Sequence, residues 1–474
     1  MDKTPSGGAP KREDADMLEA HARLARKVLA REVEMPSREM TTLPEHLQPG
    51  AAGRTLATVV AALDEVLSQT PSAASPRFLN QLFGGRDPAA TLAEMLVPLT
   101  NTSMYTFKAA GIQILLEQAI VARMARCAGF PEGEGTLTPG GSLSNMLALM
   151  IARNEALADT REHGVGGRAA AIYTSDQGHY SIRKNAGVLG LGRSSVREIP
   201  SDRRGRMRVD ALRESLRQDR AAGILPLMIN ATAGTTVLGA FDPIADLAAL
   251  AAEERVWLHV DGALGASALL SPRHRHLLDG LGGADSLTWN AHKMMGVPLS
   301  GSVLLLRRRG LLARHLSEQA DYLFQADADT LNPGTRSIQC GRRNDALKLW
   351  AAWLYHGDEG YGRRIERLFA LARHAARRLA GDPAFELLLE PESVNVCFRV
   401  RGHSSTAICE ALDQRRLLKI GHGEALGRRA IRLVCVNPDL GPSDIDAILD
   451  TILQVASTLP AQKPPRIEKT PTDR

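Results

Sequence analysis

Residues 256–263 read Val-Trp-Leu-His-Val-Asp-Gly-Ala, in which an apolar run of strand length, residues 256–260, is followed by the acidic residue Asp261. Such a run is typical of a strand that is buried on both faces of a parallel sheet. Open α/β sheets bind ligands at the carboxyl ends of their strands, so Asp261 is a candidate binding-site carboxylate. The alternative is that Asp261 caps the N-terminus of a following helix.

Similar short apolar runs alternate with helical patterns on both sides of this strand. We predict further strands at 169–174, 196–199, 225–230 and 301–306, and helices at 143–156, 209–217 and 244–254. This alternation predicts an α/β fold with a mostly parallel sheet that carries helices on both faces.

The same patterns divide the chain into four segments. Residues 1–130 are predicted to be mainly helical, and residues 131–345 to form a large α/β domain. Residues 346–460 are predicted to form a smaller C-terminal α/β domain, with strands at 394–400 and 431–436. Residues 461–474 are rich in proline and charge, which predicts a disordered tail.

The composition excludes several classes of protein. Hydrophobic residues make up 44% of the chain and charged residues 23%, as in ordinary globular proteins. The net charge of +5 is too weak to predict nucleic-acid binding. No apolar stretch approaches the ~20 residues of a membrane span, and no apolar signal-like segment is present. The five cysteines are scattered without metal-ligand spacing, so we expect reduced thiols, no metal site and a cytoplasmic location.

Lys293 lies in an unusual setting for a lysine, the run Thr-Trp-Asn-Ala-His-Lys-Met-Met-Gly at 288–296. Burial lowers the pKa of an ammonium group, and the neutral amine can form a Schiff base with an aldehyde cofactor. The alternative is a lysine at a helix start whose charged end extends into solvent.

Three further motifs follow predicted strands or precede a predicted helix. Residues 138–145 read Thr-Pro-Gly-Gly-Ser-Leu-Ser-Asn, and a glycine loop at a helix N-terminus can hold phosphate, although it can also be a plain turn. His179, in Asp-Gln-Gly-His-Tyr-Ser at 176–181, offers a flat ring that could stack on a planar cofactor or be structural. Residues 230–236, Asn-Ala-Thr-Ala-Gly-Thr-Thr, leave room beside such a ring.

Taken in order, these motifs resemble those of the group II pyridoxal-phosphate amino acid decarboxylases, the family of glutamate, aspartate and cysteine sulfinate decarboxylases. The resemblance runs from about residue 76 to residue 457 and includes Tyr-Leu-Phe-Gln at 322–325, Ile-Gln-Cys-Gly-Arg at 338–342 and Asn-Val-Cys-Phe at 395–398. It implies the aspartate-aminotransferase-like fold, type I among pyridoxal-phosphate enzymes. It also implies a homodimer with active sites between subunits, to which segment 1–130 would contribute.

The resemblance implies roles at the matching positions around pyridoxal 5'-phosphate (PLP). Lys293 would bind the cofactor covalently, Asp261 would pair with its ring nitrogen and keep the ring an electron sink, and His179 would stack on the ring. These three would be the catalytic residues. The remaining cofactor contacts would come from Gly141, Ser142, Thr232, Ala263 and His292.

On the substrate side, the resemblance points to Arg432, whose planar guanidinium can bind a carboxylate or sulfinate through two hydrogen bonds. Gln81, Phe83 and Ser103 would complete this side. Phe83 and Ser103 are more similar to the cysteine sulfinate and aspartate enzymes than to glutamate decarboxylases, and the bulk of Phe83 would shorten the pocket. We therefore predict α-decarboxylation of a small acidic L-amino acid, namely aspartate to β-alanine or cysteine sulfinate or cysteate to hypotaurine or taurine. Glutamate is the less favoured substrate.

Two alternatives remain open. Family members commonly carry a tyrosine in the loop after Tyr-Leu-Phe-Gln, and loss of that tyrosine is linked to oxygen-dependent formation of an aldehyde. Residues 326–337 contain no tyrosine, so the proton donor stays unassigned, with His179 and a water as candidates that the sequence does not decide between. The second alternative is a non-catalytic scaffold that binds PLP, but a scaffold has no need for Lys293, Asp261, His179 and Arg432 together.

Overall fold

The structure is a computed structural model that describes residues 12–32, 42–318 and 331–461. The Tyr-Leu-Phe-Gln motif at 322–325 lies outside the described residues. So do residues 326–330 of the loop without tyrosine and residues 462–474 of the predicted tail. Among the described residues, no helix has the length and apolar character needed to cross a membrane.

The N-terminal part is helical, as its periodicity predicts. Its helices are α1 (Arg12–Ala30), α2 (Leu56–Gln69), α3 (Pro88–Thr100), α4 (Phe107–Ala110) and α5 (Ile112–Cys127). The side chains of Thr55 and Asp87 cap α2 and α3 by accepting hydrogen bonds from backbone N–H groups that have no partner within the helix. Both helices keep part of their apolar surface exposed.

The centre of the fold is a seven-stranded sheet. Its strands are β1 (Glu134–Thr138), β2 (Ala170–Ser175), β3 (Val196–Ile199), β4 (Leu225–Thr232), β5 (Trp257–Asp261), β6 (Ser286–Asn290) and β7 (Ser302–Leu306). The order across the sheet is β1-β7-β6-β5-β4-β2-β3. Strands β3, β2, β4, β5 and β6 run parallel, and β7 is antiparallel to both β6 and β1.

Helices surround this sheet, and the predicted strand–helix alternation is confirmed. They are α6 (Gly141–Ala156), α7 (Thr160–His163), α8 (Ser181–Val188), α9 (Val209–Ala221), α10 (Ile244–Glu254) and α11 (Leu311–Leu316). Sequence reasoning missed two strands of this sheet. Strand β1 contains Glu134 and Gly135, which give it no apolar run. Strand β6 has the buried polar residues Ser286 and Thr288, which form hydrogen bonds with side chains from other parts of the chain.

A second sheet lies toward the C-terminus, with strand order β10-β11-β9-β8 and antiparallel pairing throughout. The elements are α12 (Ala346–Ala380), β8 (Phe385–Leu387), β9 (Asn395–Val400), α13 (Ser405–Gln414), β10 (Gly421–Ala425), β11 (Arg428–Val434) and α14 (Pro442–Ser457). Helix α12 is kinked at Gly357, whose φ of 59° is left-handed.

The parallel strands place the predicted motifs side by side. Thr232 at the end of β4 is in register with Asp261 at the end of β5, and Asp261 is in register with Thr288 on β6. The chain leaves β2 toward His179 at the same edge, because β2 and β4 are parallel neighbours. One edge of the sheet therefore collects side chains that are far apart in sequence.

Candidate active site

The segments that follow β2, β4, β5 and β6 meet around a cavity of about 470 Å³. The cavity is lined by eleven of the twelve predicted site residues, namely Gln81, Phe83, Gly141, Ser142, His179, Thr232, Asp261, Ala263, His292, Lys293 and Arg432. The twelfth, Ser103, lies outside it and contacts the backbone of Cys340 and Arg342. Within the parts of the chain that the structure describes, no cluster of three or more His, Cys, Asp or Glu side chains could hold a metal ion.

Lys293 lies in a tight turn directly after β6, rather than at the start of a helix. The backbone N–H of Lys293 donates to the Asn290 carbonyl (3.1 Å), and the Lys293 carbonyl accepts from Gly296 (3.0 Å). Burial lowers the pKa of Lys293, with a further decrease from the charge of Arg432 and an opposing effect from Asp261. The structure therefore provides an amine that loses its proton more readily than a surface lysine.

Asp261 is the last residue of β5 and is buried. Its Oδ2 accepts a hydrogen bond from Nδ2 of Asn145 (2.8 Å), and its Oδ1 accepts one from the backbone N–H of Ala263 (3.1 Å). The next helical segment begins only at Gly265, so Asp261 does not cap a helix. The carboxylate is held in one orientation at the sheet edge, as the ligand-binding interpretation requires.

His179 lies in the turn between β2 and α8. Its Nδ1 is 2.8 Å from the Ser181 hydroxyl, and its ring centroid is 4.2 Å from that of Tyr180. Burial lowers the pKa of His179, against an opposing effect from the Asp261 carboxylate. The ring is therefore predominantly neutral at pH 7, and its orientation is fixed by Ser181 and Tyr180.

The start of α6 forms one end of the cavity. Gly141 lies so close to Asn290 that a Cβ at this position would be 2.7 Å from the Asn290 amide nitrogen. Ser142 follows in the first helical turn, where backbone N–H groups have no partner within the helix and can bind an anion. His292 lies nearby, and burial lowers its pKa to about 4, so this ring is neutral.

Thr232 and Ala263 line the middle of the cavity. The backbone N–H of Thr232 donates to Asp242 (2.7 Å), which fixes the end of β4. Among the described residues, the buried Thr232 hydroxyl has no hydrogen-bond partner. A buried polar group without a partner costs about 1–3 kcal/mol, so this hydroxyl indicates that a polar ligand belongs in the cavity.

Arg432 reaches the cavity from β11 of the second sheet. Its two terminal nitrogens donate to the backbone carbonyls of Thr236 and Asn80, each at 2.7 Å. Its buried Nε has no hydrogen-bond partner in the described part of the chain. Gln81 and Phe83 follow Asn80 along the cavity wall, and the ring of Phe83 lies 6.2 Å from that of Phe78.

Sequence reasoning missed three side chains at this site. Asn145 bonds directly to Asp261, Ser181 bonds to His179, and Tyr180 lines the cavity beside the His179 ring. All three belong to motifs that were recognised, but the motif pattern does not show which polar residue faces the sheet. The only available signal for Asn145 was an amide within an otherwise apolar stretch of helix.

Comparisons with known proteins identify the family of the chain. Residues 36–401 match the model of the pyridoxal-dependent decarboxylase conserved domain. The chain is 41% identical to the cysteine sulfinic acid decarboxylase of Mus musculus over 398 residues, which cover 79% of this chain and 80% of that protein. The chain belongs to the pyridoxal-dependent decarboxylase family.

Other similarities extend over most of this decarboxylase. It is 38% identical to the acidic amino acid decarboxylase GADL1 of Mus musculus over 400 residues, which cover 80% of this chain and 73% of that protein. The crystal structure of mouse CSAD superimposes with a TM-score of 0.89 at 34% identity, covering 95% of this chain and 99% of the other. The fold is type I, and the chain is a PLP-dependent amino acid decarboxylase, which confirms the enzyme interpretation over a non-catalytic scaffold.

The cavity fits PLP. The first turn of α6 suits a phosphate, because Gly141 leaves room and the helix N-terminus offers backbone N–H groups. The amine of Lys293 suits an aldehyde, and the unpartnered Thr232 hydroxyl suits a polar substituent of the ring. The buried Asp261 and the flat ring of His179 line the same cavity.

Proposed function

We propose that this decarboxylase removes the α-carboxyl group of a small acidic L-amino acid, with aspartate, cysteine sulfinate and cysteate preferred over glutamate. The observation that carries the proposal is the position of Arg432 in the same cavity as Lys293 and Asp261. A half-buried guanidinium in a substrate cavity favours a ligand with an additional negative charge, beyond the carboxylate that leaves as carbon dioxide.

The first part of this proposal concerns the residues that would bind PLP. PLP, when bound, withdraws the electrons that the departing carboxyl group leaves behind. We infer that Lys293 holds the cofactor covalently and that Asp261 pairs with its ring nitrogen. Gly141, Ser142 and His292 would bind the phosphate. His179, Thr232 and Ala263 would surround the ring of the cofactor.

The second part of the proposal concerns Arg432, which would bind the additional acidic group of the substrate. Burial lowers the pKa of Arg432, but a guanidinium remains protonated in proteins, so the cavity keeps a cation. Its terminal nitrogens are held by two backbone carbonyls, and its Nε has no partner among the described residues. An incoming carboxylate or sulfinate would bind this cation better than the neutral carbonyls do.

Phe83 supports the preference for shorter acids. Its ring lines the cavity together with Gln81 and Leu82, in the segment that follows the Asn80 carbonyl bound by Arg432. A large side chain here leaves less room for an extra methylene. A methylene changes discrimination by only about 1–3 kcal/mol, so we expect overlapping activity on several acids. The similarity to a cysteine sulfinic acid decarboxylase and to an acidic amino acid decarboxylase supports the same substrate class.

A panel of L-aspartate, cysteine sulfinate, cysteate and L-glutamate tests the substrate. We expect kcat/KM for the best of the three shorter acids to exceed that for glutamate by roughly 10- to 100-fold, since this is the usual effect of one methylene. The measurement is carbon dioxide release together with separation of the amine products. Higher catalytic efficiency on glutamate than on all three shorter acids would contradict the proposal.

The Arg432→Met variant is the control for the panel. It keeps an unbranched side chain but removes the charge, so KM should rise for every acid, while binding of PLP should remain. If the variant decarboxylates aspartate as efficiently as the unchanged protein, the role of Arg432 is wrong even when the substrate class is right.

A second candidate function is decarboxylation coupled to oxidative deamination. The observation that favours it is the absence of tyrosine from residues 326–337. This reaction consumes oxygen and water and yields carbon dioxide, aldehyde, ammonia and hydrogen peroxide. In the same panel, peroxide and ammonia formed in proportion to carbon dioxide would favour it, and amine formed in that proportion would exclude it.

We also propose that the chain forms a homodimer. Helices α2 and α3 expose several large apolar residues, namely Leu56, Val59, Leu63, Leu92, Leu96 and Leu99. Exposed apolar faces of this kind mark protein–protein contacts. Ser103 lies outside the cavity of its own chain, so its predicted substrate role requires that it act in the cavity of the second copy.

The dimer can be tested by light scattering of the eluting protein. We expect twice the chain mass of 51.1 kDa at micromolar concentration. The double variant Leu92→Glu/Leu99→Glu should shift the mass to that of one chain, because it places charges on the exposed face of α3. A single-chain mass for the unchanged, active protein would contradict the dimer.

A further inference from the structure

Asn145 is a buried amide in α6 whose donors and acceptor are all engaged. Its Nδ2 donates to Asp261 (2.8 Å) and to the Ser181 hydroxyl (3.1 Å). Its Oδ1 accepts from the Thr288 hydroxyl (2.7 Å) and lies 3.1 Å from Nε2 of His259. A side chain with four partners on three different strands and helices can occupy only one position.

The direction of these hydrogen bonds is determined by chemistry. The Asp261 carboxylate can only accept, so the Asn145 Nδ2 must face it and Oδ1 must face His259. Burial lowers the pKa of His259 to about 4, so this ring is neutral and its single proton lies on Nε2. Nδ1 of His259 then accepts from Ser286 (2.8 Å), which in turn accepts from the indole N–H of Trp257 (2.9 Å).

Asn145 also connects to His179. The Ser181 hydroxyl accepts a hydrogen bond from Nδ2 of Asn145 and lies 2.8 Å from Nδ1 of His179. The backbone N–H of Ser181 also points at that nitrogen (3.2 Å), so Nδ1 is the acceptor and the Ser181 hydroxyl is its donor. One amide therefore reaches the Asp261 carboxylate directly and the His179 ring through a single hydroxyl.

We propose that Asn145 is a positioning residue that aligns Asp261 and His179 with the PLP ring. This inference rests on the proposed roles of those two residues. Asn145 itself does not react. It holds the carboxylate at one angle and, through Ser181, holds the imidazole at another, while Thr288 and His259 prevent the amide from rotating. Removing the amide frees both groups, although each would remain in the cavity.

The test compares Asn145→Ala with Asn230→Ala. Asn230 is also a fully buried amide, on β4, and its one hydrogen bond within the described residues goes to the Thr174 hydroxyl (3.1 Å). Thermal unfolding of the apoenzymes tests whether both variants fold. We expect Asn145→Ala to raise the Kd for PLP roughly 10- to 100-fold, the effect of losing a hydrogen bond to a charged group. Asn230→Ala should change this Kd less than about threefold.

Two further readouts separate positioning from loss of structure. With saturating PLP, Asn145→Ala should lower kcat and leave KM for the amino acid nearly unchanged, because Arg432 is untouched. The pH midpoint of the visible absorbance of bound PLP should shift in Asn145→Ala and not in Asn230→Ala, because this midpoint responds to the charge at the ring nitrogen. Thr288→Val, which removes one of the two groups that hold Oδ1, should give a smaller shift in the same direction.

The inference is overturned if folded Asn145→Ala matches the unchanged protein in Kd and absorbance midpoint, or if Asn230→Ala produces equal changes. Its failure is distinguishable from failure of the proposed function. If the unchanged protein carries PLP on Lys293 and responds to Asp261→Asn while Asn145→Ala has no effect, only the role of Asn145 is wrong. If Asp261→Asn also has no effect, the roles on which the inference rests are wrong as well.

Discussion

Replacing Lys293 with alanine is expected to lower kcat by at least about a thousandfold, because no other lysine of the described residues lines the cavity and could bind the cofactor covalently and move a proton near it. The turn that carries Lys293 is held by backbone hydrogen bonds to Asn290 and Gly296, so the variant should fold. The measurements are carbon dioxide release with excess PLP and the visible absorbance of the purified protein.

Lys184→Ala is the matched control for this variant. Lys184 is another lysine near the cavity, with its amine 5.8 Å from the centroid of the Tyr180 ring. The control should keep the visible absorbance of bound PLP. If Lys293→Ala retains more than about a tenth of the original kcat, the loss is far smaller than that expected for such a group, and the covalent role of Lys293 is wrong.

Asp261→Asn is the second variant with a large expected effect. It preserves the shape of the side chain but removes a buried negative charge, so we expect kcat to fall about 100- to 1,000-fold. The ring nitrogen of the cofactor would no longer be kept protonated, and the ring would accept electrons less readily. Steady-state kinetics with saturating PLP and aspartate measure the effect.

Asp242→Asn controls for the loss of a buried carboxyl group. Asp242 lies next to the same sheet edge and accepts hydrogen bonds from the backbone N–H groups of Thr232 and Met207, each at 2.7 Å. Burial raises its pKa to about 7. This variant should melt at a lower temperature and keep kcat within about threefold, because loss of one hydrogen bond acceptor affects stability and not the ring charge. Equal losses of kcat in both variants would contradict the specific role of Asp261.

The sequence was sufficient for the features that depend on local pattern. Strands β2, β4 and β5 are mainly apolar, and the helix predicted at 244–254 matches α10 in both bounds. The position of Asp261 followed from the strand that precedes it. The approach of Lys293 and His179 to Asp261 followed from the parallel arrangement of strands, since parallel strands bring their carboxyl ends to one edge.

The rest depends on contacts between distant parts of the chain. Strand β6 is buried although polar and apolar residues alternate along it, because Ser286 and Thr288 form hydrogen bonds with side chains on β5 and α6. The partner of Asn145, Asp261, lies 116 residues away, so no local pattern indicates their hydrogen bond. Arg432 was placed by the family resemblance alone, and its approach to Asn80 and Thr236 depends on how the second sheet packs.

Reduction of the purified, PLP-loaded protein with borohydride, followed by proteolysis and mass spectrometry, tests the central claim most directly. We predict a single stable pyridoxyl group, located on the peptide that contains Lys293, and its disappearance in Lys293→Ala. A pyridoxyl group on any other lysine of the unchanged protein, or no incorporation at all, would contradict the account.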